Sequence, residues 1–507
     1  MVTRITGFSN VFDIDEIVSK LMKTEQVPLD KMSRQKQTLE WQRDSYRETN
    51  AKIKELEDLI TSLGLNLPST YGTKKITSSN EAAVTATGTT GTTSATSGTI
   101  NVTQLATASV FKSSSTAGFA ASNGTFTFEV TTPNSTEPTT VTINTSDTDT
   151  LDTIVTKINN SKLGVTAYKG QIFDGTNYVD TIALTSRTTG EGVSIKASDS
   201  DSTSFLTQLG FQVDGDNKLV ATTQGVKAQY EINGLKMENN NNTFTQAGIT
   251  YELKGTTDDK PVTLNVSTDV DTIFDKIKQF VDKYNELVEQ INGKVTEKKN
   301  RTYQPLTAEE KKGMSDKEIE LWETTAKSGL LRSDSILRSG ASKMRSDLYL
   351  QVSNGNSVNH ITQIGITTSQ KYKEGGKLEI NDGKLRKAIE EDPEKVREMF
   401  LSGSLNVDSN DKEKAEQQYK EQGIIHRIRN SLSAFSKSIQ QKAGSTTMEA
   451  KEYILGKSLD SLTKRMSDFQ DRLKMIENRY YVKFNAMDSA IQKLNNQSNS
   501  LAQLLSQ

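Results

Sequence analysis

Leu459, Met466, Leu473, Tyr480, Met487, Leu494 and Leu501 stand seven positions apart along the last stretch of the chain. Met448, Leu455, Leu462, Phe469, Ile476, Ala490 and Leu504 form a second row between them, interrupted by Lys483 and Gln497. Apolar residues every three or four positions mark one stripe of an α-helix. A stripe held in heptads over this length belongs to a coiled coil. A single helix cannot bury such a stripe against itself, so it needs a partner helix from this chain or from another.

The other end repeats the theme. Ile14, Ile17, Val18 and Leu21 follow the i, i+3, i+4, i+7 spacing, with Asp13 placed to cap the helix start. Pro28 lacks an N–H and its ring clashes with the turn before it, so a break or kink is expected there. Met32, Leu39, Tyr46, Ile53 and Ile60 then recur every seven residues, while Gln35, Gln42 and Thr49 dilute the second row. After Asp269 the series Val270, Ile277, Tyr284 and Ile291 interleaves with Ile273, Phe280 and Leu287. Before about Ala450 such rows fit an intramolecular bundle core at least as well as a coiled coil. The two chain ends have no neighbouring segment that obviously covers them. Thr307-Ala-Glu-Glu310 and Ser315-Asp-Lys-Glu318 fit the capping box, in which hydroxyl and carboxylate each satisfy a free backbone N–H. Asp392-Pro393-Glu394 predicts an N-cap, a first-turn proline and a first-turn acid ahead of Val396, Met399 and Phe400.

Between about Thr73 and Asp269 threonine, serine, asparagine and glycine dominate, and period-two alternation replaces the heptads. Ile100 and Val102 share one face of 98–105, and Phe126, Phe128 and Val130 share one face of 125–130. With 247–254 and 261–266 these read as half-buried antiparallel strands. Asn123-Gly124 and Asn233-Gly234 read as turns. One helix is expected at Leu151, Ile154, Val155 and Ile158, with Asp149 as its N-cap. The stretch holds an excess of acidic residues, so the flanks carry a compensating basic excess.

The chain reads helix, β-rich head, helix: an α+β multidomain architecture with an inserted antiparallel β-rich head.

Composition removes most chemistries. With 62 basic and 64 acidic residues among 507, the net charge of −2 lacks the basic excess of a nucleic-acid binder. The absence of cysteine excludes disulfides, thiolate metal sites and a cysteine nucleophile. Two histidines, His360 and His426, cannot build a histidine-rich metal site, and no G-x-S-x-G elbow supports a serine triad. Gly88-Thr-Thr-Gly91 lacks the lysine of a phosphate cradle. Asp147-Thr-Asp149 and Asp199-Ser-Asp201 lack the glycine and distant glutamate of a calcium loop, so capping roles are expected. No run approaches the ~18 apolar residues of a membrane span. Met1-Val-Thr-Arg-Ile5 opens no secretory apolar stretch, so a secreted form would leave by another route, without a cleaved signal peptide. No enzymatic activity, cofactor, metal, nucleic acid or membrane insertion is expected.

Ile5-Thr-Gly-Phe-Ser-Asn-Val-Phe-Asp13 through Leu21-Met22, then Glu25-Gln-Val-Pro28-Leu-Asp30, resemble the N-terminal signature of the flagellar filament cap family, the hook-associated protein 2 family. Leu39-Glu-Trp-Gln-Arg-Asp-Ser-Tyr-Arg47 resembles its Gram-positive branch. Phe280-Val-Asp-Lys-Tyr-Asn285, Tyr303-Gln-Pro-Leu-Thr-Ala-Glu-Glu-Lys311, Gly329-Leu-Leu-Arg-Ser-Asp334, Gln363-Ile-Gly-Ile-Thr367 and Gly376-Lys-Leu-Glu-Ile-Asn381 are similar to its leg domain. Phe484-Asn-Ala-Met487 and Leu494-Asn-Asn-Gln-Ser-Asn-Ser-Leu501 resemble its C-terminal signature. Thr150-Leu-Asp-Thr-Ile-Val-Thr-Lys-Ile-Asn159 resembles an insertion motif shared with flagellins. Ser9-Asn-Val-Phe-Asp13 departs from the family's Ser-Gly-Leu/Met-Asp by losing the glycine.

The resemblance divides the α+β chain into a long helical, coiled-coil stem and leg formed by both termini and an inserted antiparallel β-rich head of two subdomains. The expected boundaries are a stem helix at 1–40, a leg helix at 41–72, one head subdomain at 73–120 with 225–267, an inserted subdomain at 121–224, a helical leg domain at 268–447 and a C-terminal coiled-coil helix at 448–507. The resemblance implies a secreted, non-enzymatic assembly factor at the distal tip of the bacterial flagellum. It implies a homo-oligomeric ring, commonly a pentamer within a range of four to six, that promotes folding and insertion of exported flagellin. It further implies contact with the hook–filament junction protein, and type III export with a chaperone on the C-terminal helix. The alternatives are a tip adhesin whose Thr/Asn-rich head binds host mucin or other glycans, and another flagellar axial protein such as the junction protein. On this reading Ile14, Ile17, Val18 and Leu21 form an N-terminal helix interface. Met32, Leu39, Tyr46, Ile53, Ile60, Leu459, Met466, Leu473 and Tyr480 form a leg seam. Met487, Leu494, Leu501 and Leu504 are expected to be exposed in the monomer and to meet a partner or the chaperone.

Overall fold

The computed structural model describes residues 13–88, 96–116, 119–133, 135, 137–173, 175–258, 260–371, 374–406 and 411–505. The predicted segment around Ser9-Asn-Val-Phe12 and the Thr89–Gly91 part of the glycine loop lie outside the described residues. The chain forms two compact units, one of Met1–Leu67 with Phe274–Gln507 and one of Pro68–Ile273.

The first unit is helical. Its N-terminal helix, Ile14–Ser62, begins where the Asp13 carboxylate accepts the Glu16 N–H at 2.9 Å. It runs through Pro28 and across the expected 40/41 boundary as one element, so Pro28 does not break it. Proline in a helix interior costs about 3 kcal/mol. Val18 and Met22 before it are buried and Leu29 after it packs into the same cluster. Burial of a core side chain yields about 1.5–3 kcal/mol each, which outweighs one lost turn of bonding. The second half of this helix, from Trp41 to Ile60, buries Tyr46, Ile53, Leu56 and Ile60. Glu55 and Glu48 there pair with Lys283 at 2.7 Å and Lys294 at 2.8 Å of the helix Val270–Thr296.

Both predicted capping boxes are formed, at Thr307/Glu310 and Ser315/Glu318. Asp392 caps Pro393–Leu401 through the Lys395 N–H. The helices Ser335–Tyr349 and Ile424–Ala443 meet at a buried polar cluster. Asp347 accepts from Lys343 at 2.6 Å and from the Tyr419 and Ser431 hydroxyls, and buried Arg427 donates to the Leu350 carbonyl at 2.7 Å. The chain closes with the 52-residue helix Ile454–Leu505.

The second unit holds two apolar cores on antiparallel sheets. A five-stranded sheet orders Lys74–Ser78, Val262–Thr268, Gly98–Gln104, Ala228–Ile232 and Leu235–Asn239. A three-stranded sheet orders Thr243–Gln246, Ile249–Leu253 and Val84–Gly88. They enclose Ile100, Val102, Tyr230, Tyr251 and Leu264, with Phe244 stacked between Tyr230 and Tyr251 at 4.5 and 5.2 Å. Asn233 and Gly234 have φ of 51° and 85°, the two positive values that a two-residue I′ hairpin demands.

The second core is built on Ala108–Lys112, Tyr178–Thr189 and Val165–Phe173, and on Thr139–Thr145, Gly124–Thr131 and Ser194–Ala197. Phe126 stacks on Phe205 of the helix Ser200–Gln208 at 4.2 Å, and Ile154 and Ile158 of Leu151–Asn160 are buried beside them. Three local expectations are corrected here. The chain passes between the cores at Ala106–Ala108 and not at 120, because Ala106 belongs to the first core while Phe111 is buried in the second. Thr150 and not Asp149 caps Leu151–Asn160; Asp149, one residue earlier, accepts from the Ser146 N–H and pairs with Lys157. Gly124 opens a strand and is not a hairpin turn, since its strand pairs with Thr139–Thr145 across a longer connection.

Candidate functional site

Helical spacing alone aligns the two ends of the chain, and the fold brings them together. The first turns of Ile14–Ser62 lie along Ile454–Leu505 in an antiparallel pair. Val18, Met22, Leu473 and Ile476 form its buried centre, with Ile14, Leu29, Phe469, Tyr480, Tyr481 and Phe484 packed around them. Two phenols bolt the pair across its edges. Tyr480 Oη donates to Glu25 at 2.9 Å and Tyr481 Oη donates to Asp15 at 2.8 Å. The bond to Glu25 raises the Tyr480 pKa above the usual phenol value, because the donated proton is held by a carboxylate.

The predicted N-terminal residues divide within this pair. Val18 is buried, Ile14 and Ile17 are half-buried, and Leu21 is exposed. The predicted leg seam also divides. Met32, Leu39, Met466 and Tyr480 are half-buried, whereas Leu459 and Leu473 are buried. Tyr46, Ile53 and Ile60 are buried in the helical unit: the Tyr46 hydroxyl donates to Asp334, and neighbouring Arg47 donates to the Ala443 carbonyl at 3.0 Å. Burial, reinforced by that bond to Asp334, pushes the Tyr46 pKa well up. Their heptad spacing therefore serves a bundle core rather than the two-helix stem.

Past the pair the apolar row goes on while its burial stops. Met487 is 45% exposed, Leu494 64% and Leu501 59%. They continue the row of Leu473 and Tyr480 at seven-residue steps, so they point in the direction in which the pair buries its seam. The side chain of Leu504 lies outside the described residues.

Heptad reasoning missed a second set of exposed apolar side chains. Met475 and Val482 on one helix and Val27 on the other are 60–68% exposed. Met475 and Val482 are themselves seven apart, a signal that the stronger neighbouring rows obscured. In the β unit the hairpin of Val165–Phe173 and Tyr178–Thr189 carries exposed Tyr168, Ile172, Phe173 and Tyr178 towards its tip, with Phe173 and Tyr178 directly paired.

The groups weighed for chemistry have local structural roles. His360 Nδ1 meets the Thr362 hydroxyl at 2.7 Å and caps the turn Ile361–Ile364. His426 is half-buried, and desolvation lowers its pKa. Asp199 caps Ser200–Gln208 at 2.7 Å, and the N–H bond from Ser202 holds its carboxyl below the usual range. Among the described residues no cluster of three or more His, Asp or Glu could hold a metal ion. No described helix is long and apolar enough to cross a membrane.

Comparison with known proteins places this stem in context. The family described as flagellar hook-associated protein 2 matches through its C-terminus at residues 225–496 and through its N-terminus at 10–109. A flagellin hook IN motif matches 125–188, which includes the helix Leu151–Asn160. The flagellar hook-associated protein 2 of Halalkalibacterium halodurans is 33% identical over 99% of both chains. The A-type flagellar hook-associated protein 2 of Pseudomonas aeruginosa is 28% identical over 99% of this chain and 97% of its own. Among solved structures, the D1-D2-D3 domains of the flagellar cap protein FliD from Escherichia coli share the fold. They cover 83% of this chain and 99% of theirs at a TM-score of 0.54 and 22% identity.

Proposed function

Because the chain belongs to the flagellar hook-associated protein 2 family, we propose that it forms the distal cap of the bacterial flagellar filament. In this reading it is a secreted, non-enzymatic oligomer that sits at the filament tip and promotes folding and insertion of exported flagellin.

The observation that carries the proposal is the uncovered end of the stem. Met487, Leu494 and Leu501 keep the seam's register, and all three are exposed. Burying one such side chain stabilises an interface by about 1.5–3 kcal/mol, and leaving it in water forgoes that. A neighbouring subunit, the flagellin below or the hook–filament junction protein can each supply the missing helix. In the ring, which we take to be a pentamer, every subunit offers this stripe, so each closure repeats around the axis. Before export the same stripe needs cover, and a chaperone helix on the C-terminal segment supplies it. The cysteine-free chain with several modest cores suits passage through a type III channel as an unfolded polypeptide.

Electron microscopy of the purified protein tests the assembly. The proposal expects rings of five subunits bearing legs. In cells, Leu494→Asp with Leu501→Asp should leave the β unit folded while unpolymerised flagellin is shed into the medium. A protein that stays monomeric at every concentration, together with normal filaments in the double variant, contradicts it.

A further inference from the structure

Cationic depressions open along the stem beside the seam residues Met32 and Phe469. One depression, of about 640 Å³, opens between the N-terminal and C-terminal helices. A second, of about 460 Å³, opens between the N-terminal helix and the segment around 299–305. The two share Lys31 and Gln35 in their linings, so they adjoin along the N-terminal helix. Met32 and Phe469, both half-buried, line the first part, and Leu330 lines the second.

Their charge is one-sided. Lys31, Lys299, Arg301, Arg465 and Arg472 all line them, and among the described residues none of these five makes an ion pair or a side-chain hydrogen bond. Arg34 beside them shows the contrasting case, paired with Glu310 at 2.6 Å and with Gln304 at 3.1 Å. Asp468 is the one carboxylate in the lining. A chain with a net charge of −2 does not gather five unpaired cations along one surface through basic composition. Like charges gathered along one surface repel, and an incoming anionic group relieves that repulsion.

The apolar lining narrows the partner. Phosphate polymers are held by cations and stacking platforms and do not require an aliphatic floor. A helix with an apolar stripe flanked by carboxylates fits both features, in the manner of helix-in-groove recognition. The wall from Pro28 to Thr38 rises about 15 Å, room for about three helical turns. We infer that these adjoining depressions dock an acidic amphipathic helix of a partner chain, its apolar side chains on Met32 and Phe469 and its carboxylates on the flanking cations. The inference stands apart from the cap assignment, because it rests only on the charge and shape of these depressions.

The full-length protein tests it with synthetic probes. One is a labelled helix of about 18 residues with leucine on one stripe and glutamate elsewhere. The others carry the same leucine pattern with lysine, or are disordered polyglutamate, or single-stranded DNA. The glutamate–leucine helix should bind, and its affinity should fall as salt is raised. Arg465→Glu with Arg472→Glu, and separately Lys299→Glu with Arg301→Glu, should each weaken binding by about tenfold or more. These side chains are exposed and unpaired, so circular dichroism of the variants should match the parent. Equal binding of the lysine helix or of polyglutamate, tighter binding of DNA, or unchanged affinity in both charge-reversed variants overturns the inference.

Discussion

Tyr480 and Glu25, 455 positions apart in sequence, are joined by a hydrogen bond of 2.9 Å that ties the chain's last helix to its first. That bond sits at the rim of the pair, while Leu473 beside it lies in the buried centre. The two positions should therefore respond differently. Leu473→Ala removes core volume and should destabilise the stem by about 2–4 kcal/mol. Tyr480→Phe should cost clearly less near neutral pH. Its effect should also depend on pH: the folded-state pKa is raised, so the contribution is full below the ordinary tyrosine value of about 10 and is lost as pH rises through the folded value. Native-state hydrogen exchange over residues 15–25 and 470–485, compared between parent and variants at both pH values, checks both statements.

Pro28 sits exposed inside a continuous helix, so its missing N–H is a local cost that packing on either side outweighs. Pro28→Ala should restore the bond and stabilise the stem by about 1–3 kcal/mol. Slower proteolysis of the N-terminal helix is the readout. A faster rate would mean that proline's geometry is required by the pair.

Asp392 accepts the Lys395 N–H at 3.0 Å, and that bond, followed by the Lys395 side chain, lowers its pKa. A lowered carboxylate contributes stability above its ordinary pKa and loses it as pH falls through the folded value. Asp392→Ala should cost about 0.5–2 kcal/mol at neutral pH. Asp392→Asn keeps a capping oxygen but does not titrate, so its difference from the parent should shrink in acid. Urea unfolding of the three proteins at neutral and acid pH measures this.

Asp347 and Arg427 lie buried in one polar cluster with Tyr419, and the two opposite charges interact across it. Asp347→Leu should destabilise the helical unit by about 3–5 kcal/mol, because it breaks the ion pair with Lys343 and leaves the Tyr419 and Ser431 hydroxyls without their acceptor. Adding Arg427→Met should recover only the part of that loss that comes from the attraction between the Asp347 and Arg427 charges. A double-mutant cycle by urea unfolding reads the coupling, and additive effects would show that the cluster is held by its neutral hydrogen bonds alone.

Legibility followed the range of the forces involved. Heptad rows, capping boxes at Thr307 and Ser315, the strand faces at Ile100 and Phe128 and the helix at Ile154 depend on near neighbours, and all were readable from spacing. Long-range pairing was not. Ala108–Lys112 joins the second core only because Tyr178–Thr189 reaches it, so the subdomain boundary fell fourteen or so residues from where composition put it. Tyr46, Ile53 and Ile60 share the seam's period but face the bundle, since spacing records a stripe and not its occupant. The cationic depressions draw Lys31, Arg301 and Arg472 from three distant segments, and no local pattern announces them.

The central claim is that the row Met487, Leu494 and Leu501 is a seam completed by another chain. Amide hydrogen exchange over residues 487–502, measured on the monomer and on the assembled ring, tests it most directly. The account predicts faster exchange in the monomer, where Met487, Leu494 and Leu501 are exposed, and strong protection in the assembly. Equal exchange in the two states would contradict it.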